Sequence, residues 1–248
     1  MTSWCGGKVT KEKPLKIVTF YWNNPNAKNK PFFEWQPEHV HKLAAGFKRH
    51  LHMPHEFHVI TDMPDDLDAS KVKIVPLWDD LRDWGRCFTR LKAFSSEMKE
   101  LIGERFVSID LDTLIVDDIT PIFDRPEPFI GYRDSKNPKA YSGALWMKDF
   151  DSYNNVWETI NLVRAADFSD AKYVGSDQCW MSTILDNHSE KPPKWSKEDG
   201  IYDFWNIEEL PKLPMNARII FFNGMRRDMS MKKFQKKYPW ILENWKEN

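Results

Sequence analysis

The chain has 248 residues, 41% of them hydrophobic, enough to bury a substantial core and better suited to one large domain than to two small ones. Its 36 basic and 37 acidic side chains leave a formal net charge of -1, so global charge nominates no polyanionic partner. No apolar run approaches the roughly 18 residues that span a bilayer, the start is polar without a secretory core, and Cys5, Cys87 and Cys179 form no CxxC pair. These features argue against a membrane span, a disulfide framework and a zinc site, and read as reduced thiols in a cytoplasm.

A single α/β domain over residues 1–248 is expected, with 1–14 as a flexible N-terminal segment. Residues 15–21 are rich in β-branched and aromatic side chains and are followed by Asn23-Asn24-Pro25, a turn signal, so they read as the first, central strand. From Pro37 the positions Val40, Leu43, Ala44, Phe47 and Leu51 follow helical spacing. Short strands are expected at 57–60 and 72–75, then a second amphipathic helix over 86–102 through Leu91, Phe94, Met98 and Leu101. This alternation implies a Rossmann-like, mostly parallel sheet flanked by helices. A strand at 105–109 runs into Asp110-Leu111-Asp112 and a further apolar stretch at 113–116. Strands follow at 129–132, 143–147 and 218–222, with helices near 153–165, 176–185 and 231–245, so that 229–248 reads as a basic, aromatic C-terminal helix. The Pro-rich stretch 191–214 reads as an irregular excursion whose Trp195 and Trp205 require burial or a ligand.

Asp110-Leu111-Asp112 is the strongest chemical signal. Alternate residues on extended backbone let two carboxylates approach one hard cation, and Mn2+ or Mg2+ prefers oxygen ligands while keeping positions for phosphate oxygens. At the end of an apolar strand, two such carboxylates repel one another and lose solvation unless a cation or donor groups compensate them. No P-loop, GxGxxG, HExxH or GxSxG competes for the assignment.

From Leu15 to Arg227 the sequence resembles the GT-A glycosyltransferases, and within them the glycogenin-like and lipopolysaccharide galactosyltransferase-like group, family 8, and its viral and bacterial relatives. Thr89-Arg90-Leu91 before the DxD strand is similar to that family's arginine-leucine helix. Tyr141-Ser142-Gly143 is similar to its asparagine-alanine-glycine strand, Gly175-Ser176-Asp177-Gln178 to its aspartate-glutamine segment, and Asn223-Gly224-Met225-Arg226-Arg227 to its late histidine-x-glycine-x-x-lysine element. The resemblance implies a GT-A fold with the DxD at a strand end, and transfer of a sugar from a nucleotide diphosphate donor, UDP above all, with retention. It implies that Asp110, Asp112 and Asn223 hold Mn2+ or Mg2+, and that Arg90 and Asp177 hold donor hydroxyls. Gln178 would lie beside the anomeric carbon, making Gln178 and Asp177 the candidate catalytic residues. Leu111, Ser142 and Gly143 would touch the donor beside Asp110, and Gly224 and Arg227 would meet the diphosphate. Phe20, Tyr21, Trp22 and Asn23 would carry the nucleobase. Two departures stand out: Asn223 replaces the family's histidine ligand, and Tyr141 replaces an asparagine.

The acceptor is left open among a glycan, a lipid-linked molecule and a nucleic acid, and the compartment is a bacterial cytoplasm, or a host's for a viral protein. A nucleotidyltransferase would need a glycine-rich loop after the first strand, where Trp22-Asn23-Asn24 stands. A non-catalytic binding module on the same fold would not need Asp110, Asp112 and Asp177 intact. Among other clusters, His50, His52, His55 and His58 read as structural, Asp62, Asp65, Asp66 and Asp68 as a solvated loop, and Asp117 and Asp118 as caps. Trp195, Trp205, Trp240 and Trp245 read as core fillers or as a stacking platform for an acceptor sugar. Lys232, Lys233, Lys236 and Lys237 read as a solvated helix face or as a contact for an anionic surface.

Overall fold

The computed structural model describes residues 13–23, 35–81, 87–161, 176–210, 212–223 and 229–247. Its strands are β1 (Leu15–Tyr21), β2 (His55–Thr61), β3 (Lys73–Pro76), β4 (Arg105–Ile109), β5 (Thr113–Ile115), β6 (Phe129–Arg133), β7 (Tyr141–Asp149), β8 (Lys194–Trp195), β9 (Ile201–Asp203) and β10 (Ile219–Phe221). Seven of them form one sheet in the order β3-β2-β1-β4-β7-β6-β8, and β5-β10-β9 form a small second sheet. The β3-β2-β1-β4 half is parallel, and β7 runs antiparallel to both β4 and β6. As its apolar run requires, β1 is interior: Ile17 and Val18 are fully buried in the cores on opposite faces of the sheet.

The helices are α1 (Pro37–His50), α2 (Met98–Leu101), α3 (Thr120–Phe123), α4 (Asn155–Glu158), α5 (Asp177–Asp186), α6 (Lys232–Lys237) and α7 (Pro239–Asn244). Val40, Leu43 and Phe47 of α1 cover one face of the large sheet with Ile115 and Phe221 of the small one. Phe94, Met98, Val156 and Trp180 cover the other face, against Phe106 and Trp146. Pro37 suits the first turn of α1, and Lys48, Arg49 and His50 complement the dipole at its end. This is the mixed α/β architecture that the alternation implies.

Four expectations need correction. The helix expected over 86–102 is not continuous: a 3-10 segment, Phe88–Phe94, is followed by extended backbone at Ser95 and then by α2. All seven residues of that 3-10 segment are buried, so it has no solvated face for an amphipathic helix to present. The C-terminal helix is two helices, because Pro239 has no N–H to donate and disfavours helical backbone at Tyr238. The 191–214 excursion contains two strands, β8 at the end of the large sheet and β9 in the small one. Trp195 is fully buried there against Phe123. The helix expected near 153–165 is only the four-residue α4: the chain leaves helical structure at Thr159 and is not helical through 161. Residues 162–175, and 1–12 of the N-terminal segment, lie outside the described residues. No helix among the described residues is long and apolar enough to cross a membrane.

Lys148 on β7 has no exposed surface, its Nζ donating to the Phe150 carbonyl at 3.0 Å and lying 5.6 Å from the rings of Phe94 and Phe106. Burial pushes its pKa down to about 7, whereas an unfolded lysine keeps its proton to about 10.4. Between those values the unfolded chain binds more protons, so this residue's contribution to stability rises with pH across that window and its full penalty applies below it. Lys148→Met is expected to be more stable than wild type at pH 7 by a few kcal/mol, with the difference shrinking by pH 9.5. Urea unfolding of both proteins at the two pH values checks this, and a pH-independent difference would refute it.

Candidate functional site

Strand direction gathers the site. Because β7 is antiparallel to both β4 and β6, the C-terminal ends of β4 and β6 and the N-terminal end of β7 share one edge. That edge carries Asp110, Asp134 and Ser142-Gly143, the position where open α/β sheets bind ligands. In the small sheet Phe221 pairs with Thr113 of antiparallel β5 and with Asp203 of parallel β9, and the Phe222 N–H donates to the Asp112 carbonyl at 2.8 Å. Asp112, Asn223 and Asp203 therefore arrive together at one end of that sheet.

Arg90 is the hub. It is 9% exposed, and its Nε donates to Asp177 Oδ2 while its Nη1 donates to Asp110 Oδ1. Burial lowers its pKa, but the charges of Asp110 and Asp177 outweigh this and hold the guanidinium well above its ordinary value. Gly143 allows the approach: a Cβ there would collide with Arg90 Nη2 and lie 3.1 Å from Asp177 Oδ2. Asp177 opens α5, whose N-cap Ser176 accepts from the Cys179 N–H at 3.1 Å, a position where a carboxylate also meets the positive helix end. The Gln178 amide is held at both ends, Nε2 donating to Asp134 Oδ2 at 2.7 Å and Oε1 accepting from the Gly143 N–H at 3.3 Å.

A cavity of about 250 Å³ opens here, lined by Arg90, Asp110, Asp134, Lys136, Ser142, Ala144, Gln178, Trp205 and Asn223. Asp134 also walls a cavity of about 600 Å³ that includes Tyr132, Arg133, Ser196 and Tyr202. A larger cavity of about 800 Å³, with His41, Lys48, Glu56 and Lys71, touches none of these residues.

Of the two DxD carboxylates, Arg90 pairs with Asp110 only. Burial raises the pKa of both, Asp112 well above the ordinary range, and the neighbouring Asp110 charge raises Asp112 further against the pull of Arg90. Asp112 Oδ1 is shielded from solvent and meets no hydrogen-bond partner among the described residues. An orphaned carboxylate oxygen beside a second carboxylate and an amide is what an oxygen-seeking divalent cation would satisfy, so the residues present fit Mn2+ or Mg2+. Among the described residues no three His, Cys, Asp or Glu side chains are arranged to hold a metal.

Of the expected site residues, Arg90, Asp110, Ser142, Gln178 and Asn223 line the small cavity, and Asp177 and Gly143 back it. Leu111 is buried in the core with its side chain, leaving its backbone at the turn. Phe20 and Tyr21 are buried in opposite cores, and the Tyr21 hydroxyl donates to Asp66 Oδ2 at 3.1 Å. Trp22 is half-buried edge-on to Phe20, and Asn23 is exposed, its N–H donating to Asp62 at 2.9 Å. Gly224 and Arg227 lie outside the described residues. Tyr141 does not line the cavity: its hydroxyl donates to the Pro192 carbonyl at 2.7 Å and its ring packs on Phe129. The β6–β7 register slips between Gly131 and Arg133, which separates Tyr141 from the residues that follow.

Trp195 and Trp245 are core residues and Trp240 joins an aromatic cluster with Phe204 and Phe222, which leaves Trp205 as the one of the four in the cavity wall. Lys136 Nζ lies 3.9 Å from its ring. The Asp118 carboxylate accepts from the Thr120 N–H at 2.9 Å, closing the turn before α3, whose N-cap position is Ile119 with no side-chain cap bond. Two acidic residues went unrecognised in the sequence. Asp134 follows a strand as Asp110 does, a signal that was present; Asp203 sits in the stretch that read as irregular. Asp203 is 1% exposed, accepts from Asn223 Nδ2, and has its pKa raised to about 6 by burial.

No family model matches the sequence, and no curated protein matches it significantly. Solved structures match in fold. The apo-form glycosyltransferase GlyE of Streptococcus pneumoniae TIGR4 aligns with a TM-score of 0.58 at 10% identity, over 94% of this chain and 61% of GlyE, so the chain spans about three fifths of that protein's length. The galactosyltransferase LgtC, in complex with donor and acceptor sugar analogs, aligns with a TM-score of 0.55 at 10% identity, over 86% of this chain and 88% of LgtC. An active-site mutant of LgtC aligns with a TM-score of 0.57 at 9% identity, over 93% and 96%. The chain has the GT-A fold that these glycosyltransferases share.

Proposed function

We propose that the chain is a glycosyltransferase that takes a sugar from a nucleotide diphosphate donor, a UDP-sugar, and uses Mn2+ or Mg2+ held by Asp110, Asp112 and Asn223. The observation that supports this most is the buried bridge from Asp177 through Arg90 to Asp110, ending beside the orphaned oxygen of Asp112. A divalent cation there would neutralise the charge that develops on the diphosphate as the sugar leaves. Arg90 and Asp177 present fixed charges to the sugar hydroxyls, and their mutual bonds hold them in place before the donor arrives. The Gln178 amide, pinned by Asp134 and Gly143, offers an oriented dipole to the face of the sugar away from the leaving group, which suits transfer with retention. Trp22 and Asn23 take the base, and Gly224 and Arg227 the diphosphate.

The acceptor enters from the side of Trp205, whose indole offers a sugar ring a flat apolar face next to Asp134 and the cavity of about 600 Å³ that Asp134 also lines. Lys232, Lys233, Lys236 and Lys237 are all exposed and form a face that attracts an anionic surface. Release of UDP from a UDP-sugar, dependent on added cation, tests the reading.

A further inference from the structure

We infer that Asp203 is a positioning residue for the cation site, fixing the Asn223 carboxamide so that its oxygen faces the DxD carboxylates. This rests on the metal reading proposed above. An amide has a donor end and an acceptor end, and only the oxygen can ligate a cation. An ionised carboxylate only accepts, so whichever end of the amide meets it must be the NH2. Asp203 Oδ1 accepts from Asn223 Nδ2, which turns Oδ1 of Asn223 away from Asp203. Asn223 lies in the same cavity wall as Asp110, and Phe222 beside it pairs with Asp112, so the freed oxygen has the DxD on its side.

Asp203 is itself well fixed. It is 1% exposed, it ends β9 in register with Phe221, and the Tyr132 hydroxyl of the large sheet interacts with its carboxylate. The position thus ties the small sheet to the large one at the cation site. The result is an all-oxygen donor set, suited to a hard cation, in which an acidic neighbour supplies the orientation that a ligating imidazole would obtain from its second nitrogen's partner.

The test is Mn2+ binding with UDP present, read from the loss of the free Mn2+ signal in electron paramagnetic resonance, with a metal-free melting curve for each variant. Asp203→Ala is expected to weaken Mn2+ binding about 10–100-fold, the usual cost of losing such an outer partner. Asp203→Asn presents a donor as well as an acceptor, so it no longer selects the NH2 end of Asn223, and its affinity should fall between those of wild type and Asp203→Ala. In the Asn223→Asp background, where both ends of the side chain are oxygens, adding Asp203→Ala should cost nothing. Wild-type affinity in a folded Asp203→Ala protein would overturn the positioning role. A loss on Asp203→Ala that persists in the Asn223→Asp background would overturn it in favour of direct ligation by Asp203. Failure of the wild-type protein to bind Mn2+ would overturn the metal reading itself, and this inference with it.

Discussion

Asp112→Ala is expected to lower sugar-donor turnover by about 10³ or more while leaving the metal-free protein as stable as wild type, or more so. The first part follows because several kcal/mol of charge stabilisation at the leaving diphosphate depend on the cation, and each 1.36 kcal/mol is tenfold in rate. The second part comes from the orphaned Oδ1: a shielded carboxylate oxygen without a partner among the described residues, next to a second carboxylate, is a cost in the folded state. Its removal should return up to about 1–3 kcal/mol. A residue kept for folding alone would show the reverse, with stability falling first. Turnover at saturating donor and cation, together with melting curves in chelator, separates the two. Wild-type rates in the mutant would remove Asp112 from the site.

Gly143→Ala is the second large effect. The added methyl would meet the Arg90 guanidinium, which cannot retreat because Asp177 and Asp110 hold it from two sides. Displacement of a positioning cation by about 1 Å can cost on the order of 10²-fold in rate, and overpacking at a buried site costs about 1–3 kcal/mol. Both losses are therefore expected in one variant, with turnover falling about a hundredfold and the melting temperature dropping. A neutral outcome in both would mean that Arg90 is free to move and that the bridge is not preformed.

The DxD strand was legible in the sequence because its signal is local: a short run, Phe106-Val107-Ser108-Ile109, buried throughout, meets two carboxylates at its end. The order of motifs singled out Arg90 and Asp177, but not the direct bond between them, since the two lie 87 positions apart and no periodicity links them. Gly143 was named for its place in a motif, but its purpose, room for a guanidinium, is a property of packing. Asp203 was hidden because β9 is three residues long, too short for an alternating pattern, and is defined by its pairing with β10. Tyr141 misled as a donor-side substitution because the slip in the β6–β7 register, invisible in one sequence, turns it into the core. The break at Pro239 was legible and was overridden by the apolar spacing around it.

The most direct measurement of the central claim is release of UDP from a panel of UDP-sugars by the purified chain, with Mn2+, with Mg2+ and with chelator, beside the Asp112→Ala protein. The account expects UDP release from at least one donor in the presence of cation, its loss in chelator, and its loss in Asp112→Ala. Release that is unaffected by chelator and by Asp112→Ala would contradict it.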